Sequence, residues 1–191
     1  TAILSGDSML VLAYQLMLSA PDQHLREVNE LFVETALQIG EGQQYDMDFE
    51  TRDDVTEAEY IEMIRLKTSV LLACALKIGA ILGGATSEDA DRLYSFGEKV
   101  GLAFQLQDDY LDVYGDPATF GKNIGGDICC NKKTFMLINA MLRADERQRA
   151  LLQQQLEAAP SADKVKAVTA LYDEIGIPAL AQQRIEQYFG E

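Results

Sequence analysis

One stretch constrains this chain more than any other. In Gly101-Leu-Ala-Phe-Gln105-Leu-Gln-Asp108-Asp109-Tyr-Leu-Asp112-Val-Tyr, the polar residues Gln105, Asp108, Asp109 and Asp112 stand at i, i+3, i+4 and i+7. At 100° per residue that spacing is one face of a helix, the face that apolar residues normally fill in a core-facing helix. Leu102, Phe104, Leu106, Leu111 and Val113 flank it on both sides, and Gly101 leaves open volume one turn earlier. A helix with such flanks is buried, with its acidic stripe turned toward a cavity. Two carboxylates about 6 Å apart repel by about 3 kcal/mol at an effective dielectric near 20, so the stripe needs counter-charge or protonation. Hard divalent cations supply it, and Mg2+ that keeps waters and bridges to substrate phosphates fits best. A solvated acidic face is the competing explanation, but the apolar flanks leave it little room.

The rest of the chain reads as helix. Over 191 residues, apolar periodicity predicts helices at about 3–19, 23–40, 56–83, 87–114, 131–157, 162–175 and 178–189. Thr56-Glu57-Ala58-Glu59 has the pattern of a capping box, and Ser87-Glu88-Asp89 opens the next helix with acids in its first turn. The long breaker is 115–126, with Pro117 and glycines 115, 121, 125 and 126. There is no hairpin signal, repeat or linker. The expectation is a single all-α domain over residues 1–191.

Charge and cysteine content then exclude other classes. Sixteen Lys+Arg against 31 Asp+Glu leave a net charge of −15, the wrong sign for displacing counterions from nucleic acid. No apolar run reaches the roughly 18 residues needed to span a bilayer, since Val70 to Ala85 is interrupted by Lys77. Cys74, Cys129 and Cys130, with His24 the only histidine, lack zinc-ligand spacing. A reducing cytoplasm is the expected compartment.

Basic residues elsewhere could answer the stripe. Lys67-Thr68 stands where the third helix enters an apolar run, so Lys67 can either meet a diphosphate or snorkel past Leu66 to solvent. Lys122 and Lys132 lie in or beside the glycine-rich segment, whose backbone N–H groups could approach an anion; taken alone, the segment reads rather as a plain helix–helix connection. Gln43 and Asp46 follow the predicted end of the second helix and read as surface capping.

Together these residues carry a resemblance. Phe104-Gln-Leu-Gln-Asp-Asp-Tyr-Leu-Asp-Val-Tyr-Gly-Asp116 resembles the second aspartate-rich motif of the trans-polyprenyl diphosphate synthases, the farnesyl/geranylgeranyl diphosphate synthase family. Gly42-Gln43-x-x-Asp46-Met47, Lys67-Thr68 and Gly121-Lys122-x-x-Gly-Gly-Asp127…Asn131-Lys132 are similar to its other motifs, in the same order. The resemblance implies an isoprenoid-synthase-type helical bundle around a central cavity, in a cytoplasmic homodimer. It implies a prenyltransferase that joins an allylic diphosphate to isopentenyl diphosphate head-to-tail, using Mg2+. Asp108, Asp109 and Asp112 would hold the metal against the allylic diphosphate, and Lys67 and Lys122 would bind that diphosphate. Thr68 and Gln105 would face the allylic cation, Lys132 would belong to a closing lid, and Asp46 to the polar shell around the metals.

Two departures qualify it. The family's first aspartate-rich motif, followed by paired arginines, has no counterpart here, and Asp53-Asp54 is neither in its place nor followed by Arg-Arg. The chain therefore resembles the C-terminal portion of a synthase, incomplete at the N-terminus and expected to be inactive alone. The alternative is a non-catalytic synthase-like subunit that acts through a partner.

Overall fold

The computed structural model describes residues 1–116 and 124–191, and among them there are helices and no strands. The helices are α1 (Ala2–Met17), α2 (Asp22–Phe49), α3 (Glu57–Ile64), α4 (Val70–Leu82), α5 (Ser87–Tyr114), α6 (Gly126–Cys129), α7 (Phe135–Arg143), α8 (Glu146–Glu157), α9 (Ala162–Ile175) and α10 (Ile177–Gly190). The expected all-α class holds. No helix among the described residues is long and apolar enough to cross a membrane.

Local chemistry sets most boundaries. Thr56 and Glu59 form the predicted capping box at the start of α3, each satisfying the other's free backbone N–H. Thr86 caps α5, which spans the expected 87–114, through the N–H of Asp89. The periodicity predicts one helix over 131–157, and the structure divides it. Thr134 caps α7, and Asp145 with Gln148 forms a second capping box that starts α8. Ala144, with ψ 136°, cannot continue a helix between them. Apolar period does not register such a break, because it is set by the capping side chains and by one residue's backbone conformation.

The largest correction concerns α2, which continues to Phe49 rather than ending near residue 40. The glycines there suggest a stop, yet Gly42 serves close packing. A Cβ at Gly42 would stand 2.4 Å from the backbone nitrogen of Lys67. The buried residues of α2 are Val28, Thr35, Gly42 and Phe49, one every seven positions. Such a narrow seam lets a long helix lie across its neighbours while most of its surface stays polar.

Between α3 and α4 the helix continues through one π-helical turn, Arg65–Ser69, in which the N–H of Val70 reaches the carbonyl of Arg65. An extra residue per turn re-aims the side chains around it, a device common at functional sites. Helix α5 is the centre of the bundle, packed most extensively on α4 and α10. A Cβ at Gly101 would fall 2.6 Å from the Cα of Ser69, so this glycine lets α5 approach the π turn closely. The core is built from Tyr60, Met63, Leu106, Phe135, Met136, Leu152, Tyr172 and Ile177, all nearly inaccessible. Helix α1 contrasts sharply: it buries no residue, and Ile3, Leu4, Met9, Val11 and Leu16 are exposed.

Candidate active site on the acidic face of helix α5

The stripe lies at the middle and C-terminal end of α5, and its members are not equivalent. Asp109 is buried at 1% exposure, and its Oδ2 accepts from the Tyr60 hydroxyl and from the Phe135 backbone N–H at 3.2 Å. Burial drives its carboxyl up to about 7, against the pull of Tyr60, Lys132 and the Phe135 N–H. Asp108 and Asp112 are half-buried on the same helix. Asp112 Oδ2 accepts from the Asp127 N–H at 3.0 Å, and its main-chain carbonyl accepts from the Gly125 N–H at 2.6 Å. Gly125 has φ 81°, so a residue free of Cβ strain lets the chain fold back onto the end of α5. The equal spacing of the three aspartates therefore conceals a division. Asp109 ties α5 to α3 and α7, while Asp112 anchors the returning chain.

That returning chain brings Asp127 to the stripe. Burial, together with Asp112 and Asp108, raises the Asp127 carboxyl above the ordinary range, while Lys132 works in the opposite direction. Lys132 Nζ stands 3.7 Å from Asp127 Oδ1. Burial opposes its charge, but Asp127, Asp109, Asp46 and Asp108 outweigh burial and raise its pKa. One cation thus pairs with Asp127 and is favoured by the negative field of Asp109, Asp46 and Asp108. Asp109, Asp127 and Lys132 also line a small cavity of about 10 Å3, about the room one water needs.

The opposite wall comes from the π turn and α2. Lys67 Nζ and Asp46 Oδ2 make an ion pair at 2.6 Å, with both side chains partly exposed. Asp46 reaches Lys67 because α2 is longer than its sequence suggests, so it is a helical residue facing the turn and not a surface cap. Thr68 Oγ1 donates to Gln105 Oε1 at 3.4 Å, and Gln105 Nε2 donates to Asp109 Oδ1 at 3.4 Å. A polar line therefore runs from Thr68 through Gln105 and Asp109 to Tyr60.

Of the residues singled out in the sequence, Thr68, Gln105 and Asp109 are joined directly, as are Lys67 and Asp46. Lys132 feels Asp108, Asp109 and Asp46. Lys122 and Gly121 lie outside the described residues. Sequence reading missed Tyr60, which is 49 positions from Asp109 and carries no motif. It also quoted Asp127 only as part of a motif, although the spacing Gly125-Gly126-Asp127 was a usable signal.

For a divalent cation, the donor chemistry is suitable. Asp108, Asp112 and Asp127 offer hard oxygens, and the Asp127 carboxyl, raised first by burial and then by Asp112 and Asp108, carries a penalty that a cation would relieve. Among the described residues, however, no three acids converge tightly enough to hold an ion by themselves. The arrangement suits a hydrated ion that takes its remaining ligands from another molecule. Chemically, it can bind an anion through metal and lysine together.

Known proteins share this architecture. The family model for polyprenyl synthetases matches residues 1–175. A short chain isoprenyl diphosphate synthase of Methanothermobacter thermautotrophicus is 43% identical over 152 residues, which make up 79% of this chain and 47% of that protein. A crystal structure of a geranylgeranyl pyrophosphate synthase superposes with a TM-score of 0.91 at 41% identity, covering 97% of this chain and 58% of that one. The geranylgeranyl pyrophosphate synthase of Corynebacterium glutamicum, solved with isoprenyl diphosphate and magnesium, gives a TM-score of 0.88 at 28% identity, covering 97% of this chain and 54% of that one. The chain spans about half the length of the curated relatives it matches. With the helical bundle, the acidic stripe and the family match over residues 1–175 in agreement, the chain belongs to the polyprenyl synthetase family.

Proposed function

We propose that these residues form the C-terminal part of a prenyltransferase that condenses an allylic diphosphate with isopentenyl diphosphate head-to-tail, yielding a longer trans-polyprenyl diphosphate. The observation that carries this reading is that Asp127 meets Asp112, Asp108 and Lys132 at the end of α5. Such a site answers a highly charged anion that needs both metal and lysine. The relatives named geranylgeranyl diphosphate synthases, one of them solved with magnesium, support the same substrate class.

In this reading Asp108 and Asp112 hold Mg2+, with Asp109 behind them fixing α5 against α3 and α7. When bound, the metal neutralises charge on the diphosphate as it leaves. Lys67 and Lys132 bind the diphosphate oxygens, each moving from its present carboxylate partner to the substrate, and Lys122 joins them. Thr68 and Gln105 turn oxygen dipoles toward the carbon that becomes cationic when its C–O bond breaks. The isopentenyl double bond attacks that carbon, and loss of a proton completes the product. Such stabilisation acts strongly where water is excluded. The protein works as a cytoplasmic homodimer.

The test uses the full-length gene product with Mg2+, an allylic diphosphate and labelled isopentenyl diphosphate. Formation of a longer prenyl diphosphate, lost when the metal is chelated, is the expected result. A full-length protein that binds the allylic diphosphate but forms no product, alone or with a partner synthase subunit, would overturn the catalytic reading.

A further inference from the structure

Lys164 is buried at 2% exposure in the first turn of α9, an unfavourable place for a cation on two grounds. Burial strips its hydration, and the N-terminus of a helix already presents positive charge. Among the described residues no carboxylate pairs with it. Its ammonium instead donates to two neutral oxygens, Asn131 Oδ1 at 2.7 Å and the Ala158 carbonyl at 3.1 Å. A methionine of similar length would fill this space without a buried charge, so packing alone does not account for a lysine.

Its acceptor is itself unusual. Asn131 is the one non-glycine residue among those described with a positive φ, 54°, a conformation side chains rarely adopt. The ammonium can only donate, so it fixes which end of the Asn131 amide faces it. The other end then donates to the Leu156 carbonyl at the end of α8, at 2.8 Å. Lys132 follows directly, held by its own N–H to the Asp127 carbonyl at 3.0 Å and by its carbonyl to the Thr134 N–H at 2.9 Å. Lys164, Asn131, Lys132 and Asp127 all line the same small cavity.

We infer that Lys164 is a positioning residue: through Asn131 it holds the left-handed turn that aims Lys132 at the diphosphate site. This rests on the reading of Lys132 as a diphosphate-binding lysine. Lys164 itself is closed off by the turn it supports and touches no substrate.

The experiment measures the affinity of the full-length protein for Mg2+ with an unreactive allylic diphosphate analogue. The variants are Lys132→Ala, Lys164→Met and the double variant. Lys164→Met should weaken binding about tenfold, the usual scale for losing a partner that orients a binding group. It should cause no further loss in the Lys132→Ala background, since residues acting as one unit are not additive. In turnover, KM for the allylic substrate should rise while KM for isopentenyl diphosphate stays constant, a split that general loss of folded protein would not produce. Additive losses, or unchanged affinity in Lys164→Met, would overturn the inference. If Lys164→Met fails to fold, Asn131→Gly replaces it, because glycine accepts φ 54° and removes both side-chain bonds. The same tenfold, non-additive loss is expected, and full affinity in that variant overturns the inference. Undiminished affinity in Lys132→Ala overturns the reading of Lys132 and this inference together. Weakened Lys132→Ala beside an intact Lys164→Met refutes the positioning role alone.

Discussion

On one side of α5, Asp109 is sealed among Tyr60, Phe135 and Gln105, with both carboxylate oxygens engaged and its charge resisted by burial. On the adjoining side, Asp108 and Asp112 keep partial exposure and lie where Asp127 and Lys132 arrive from the returning chain. The two sides share a residue type and a helix, and Asp108 and Asp109 are sequence neighbours. What distinguishes them is the element packed opposite. Where α3 and α7 close over the helix, an aspartate becomes a structural acceptor. Where the glycine-rich return meets the helix, Asp112 accepts from the Asp127 N–H, and Asp108 and Asp112 both keep partial exposure.

The largest effect that would break this comparison is on turnover. In the full-length protein, Asp108→Ala or Asp112→Ala should lower kcat by about 10²–10³-fold, the scale for losing one group that stabilises developing charge. The thermal midpoint should change little for Asp108→Ala, while Asp112→Ala should lose about 1 kcal/mol, because it also gives up the bond to the Asp127 N–H. Near-normal rates would erase the distinction between the two sides. Asp109→Ala should show the reverse signature. It strands the Tyr60 hydroxyl and the Phe135 N–H in the interior, and each orphaned group costs about 1–3 kcal/mol, so about 3 kcal/mol of stability should be lost in denaturant melts. Asp109→Asn keeps an acceptor and the shape, and should retain most of that stability.

The same pair of variants sharpens the comparison through pH. The folded carboxyl of Asp109 is raised from 3.8 to about 7 by burial. The folded state therefore keeps a proton that the unfolded chain gives up at lower pH. The stabilising contribution of Asp109 is complete below about pH 4 and is lost as the pH rises through about 7. Melts of metal-free protein across this range should lose that slope in Asp109→Asn, and an unchanged slope would assign it elsewhere. The smallest effect belongs to Tyr60→Phe, which removes one hydrogen bond worth about 1 kcal/mol. It also removes a donor that favours the charged carboxylate, so the Asp109 transition should move further upward, and an unmoved transition would show that Tyr60 does not hold that charge.

Much of this was legible in the residues. The stripe and the capping box at Thr56 are local patterns that the structure contains. Of the apolar flanks, Leu102, Leu106 and Val113 are buried while Phe104 is exposed, because no helix among the described residues covers its side of α5. The end of α2, expected near residue 40, lies at Phe49. The reason Gly42 is glycine lies 25 positions away in sequence, at Lys67, where a Cβ would collide with the backbone. Tyr60 gave no signal for the same reason: its partner Asp109 is reached through the fold.

By itself, the sequence determined the helical class, the carboxylates and lysines present and their spacing along each helix, because these follow from covalent order and a fixed 100° turn per residue. Tertiary structure decided which aspartate is sealed and which keeps partial exposure, that Asp46 meets Lys67, and that Lys132 pairs with Asp127 within the field of Asp109, Asp46 and Asp108. Burial and Coulomb interaction depend on distance in space, and those distances exist only once α2, α3, α6 and α7 have packed around α5.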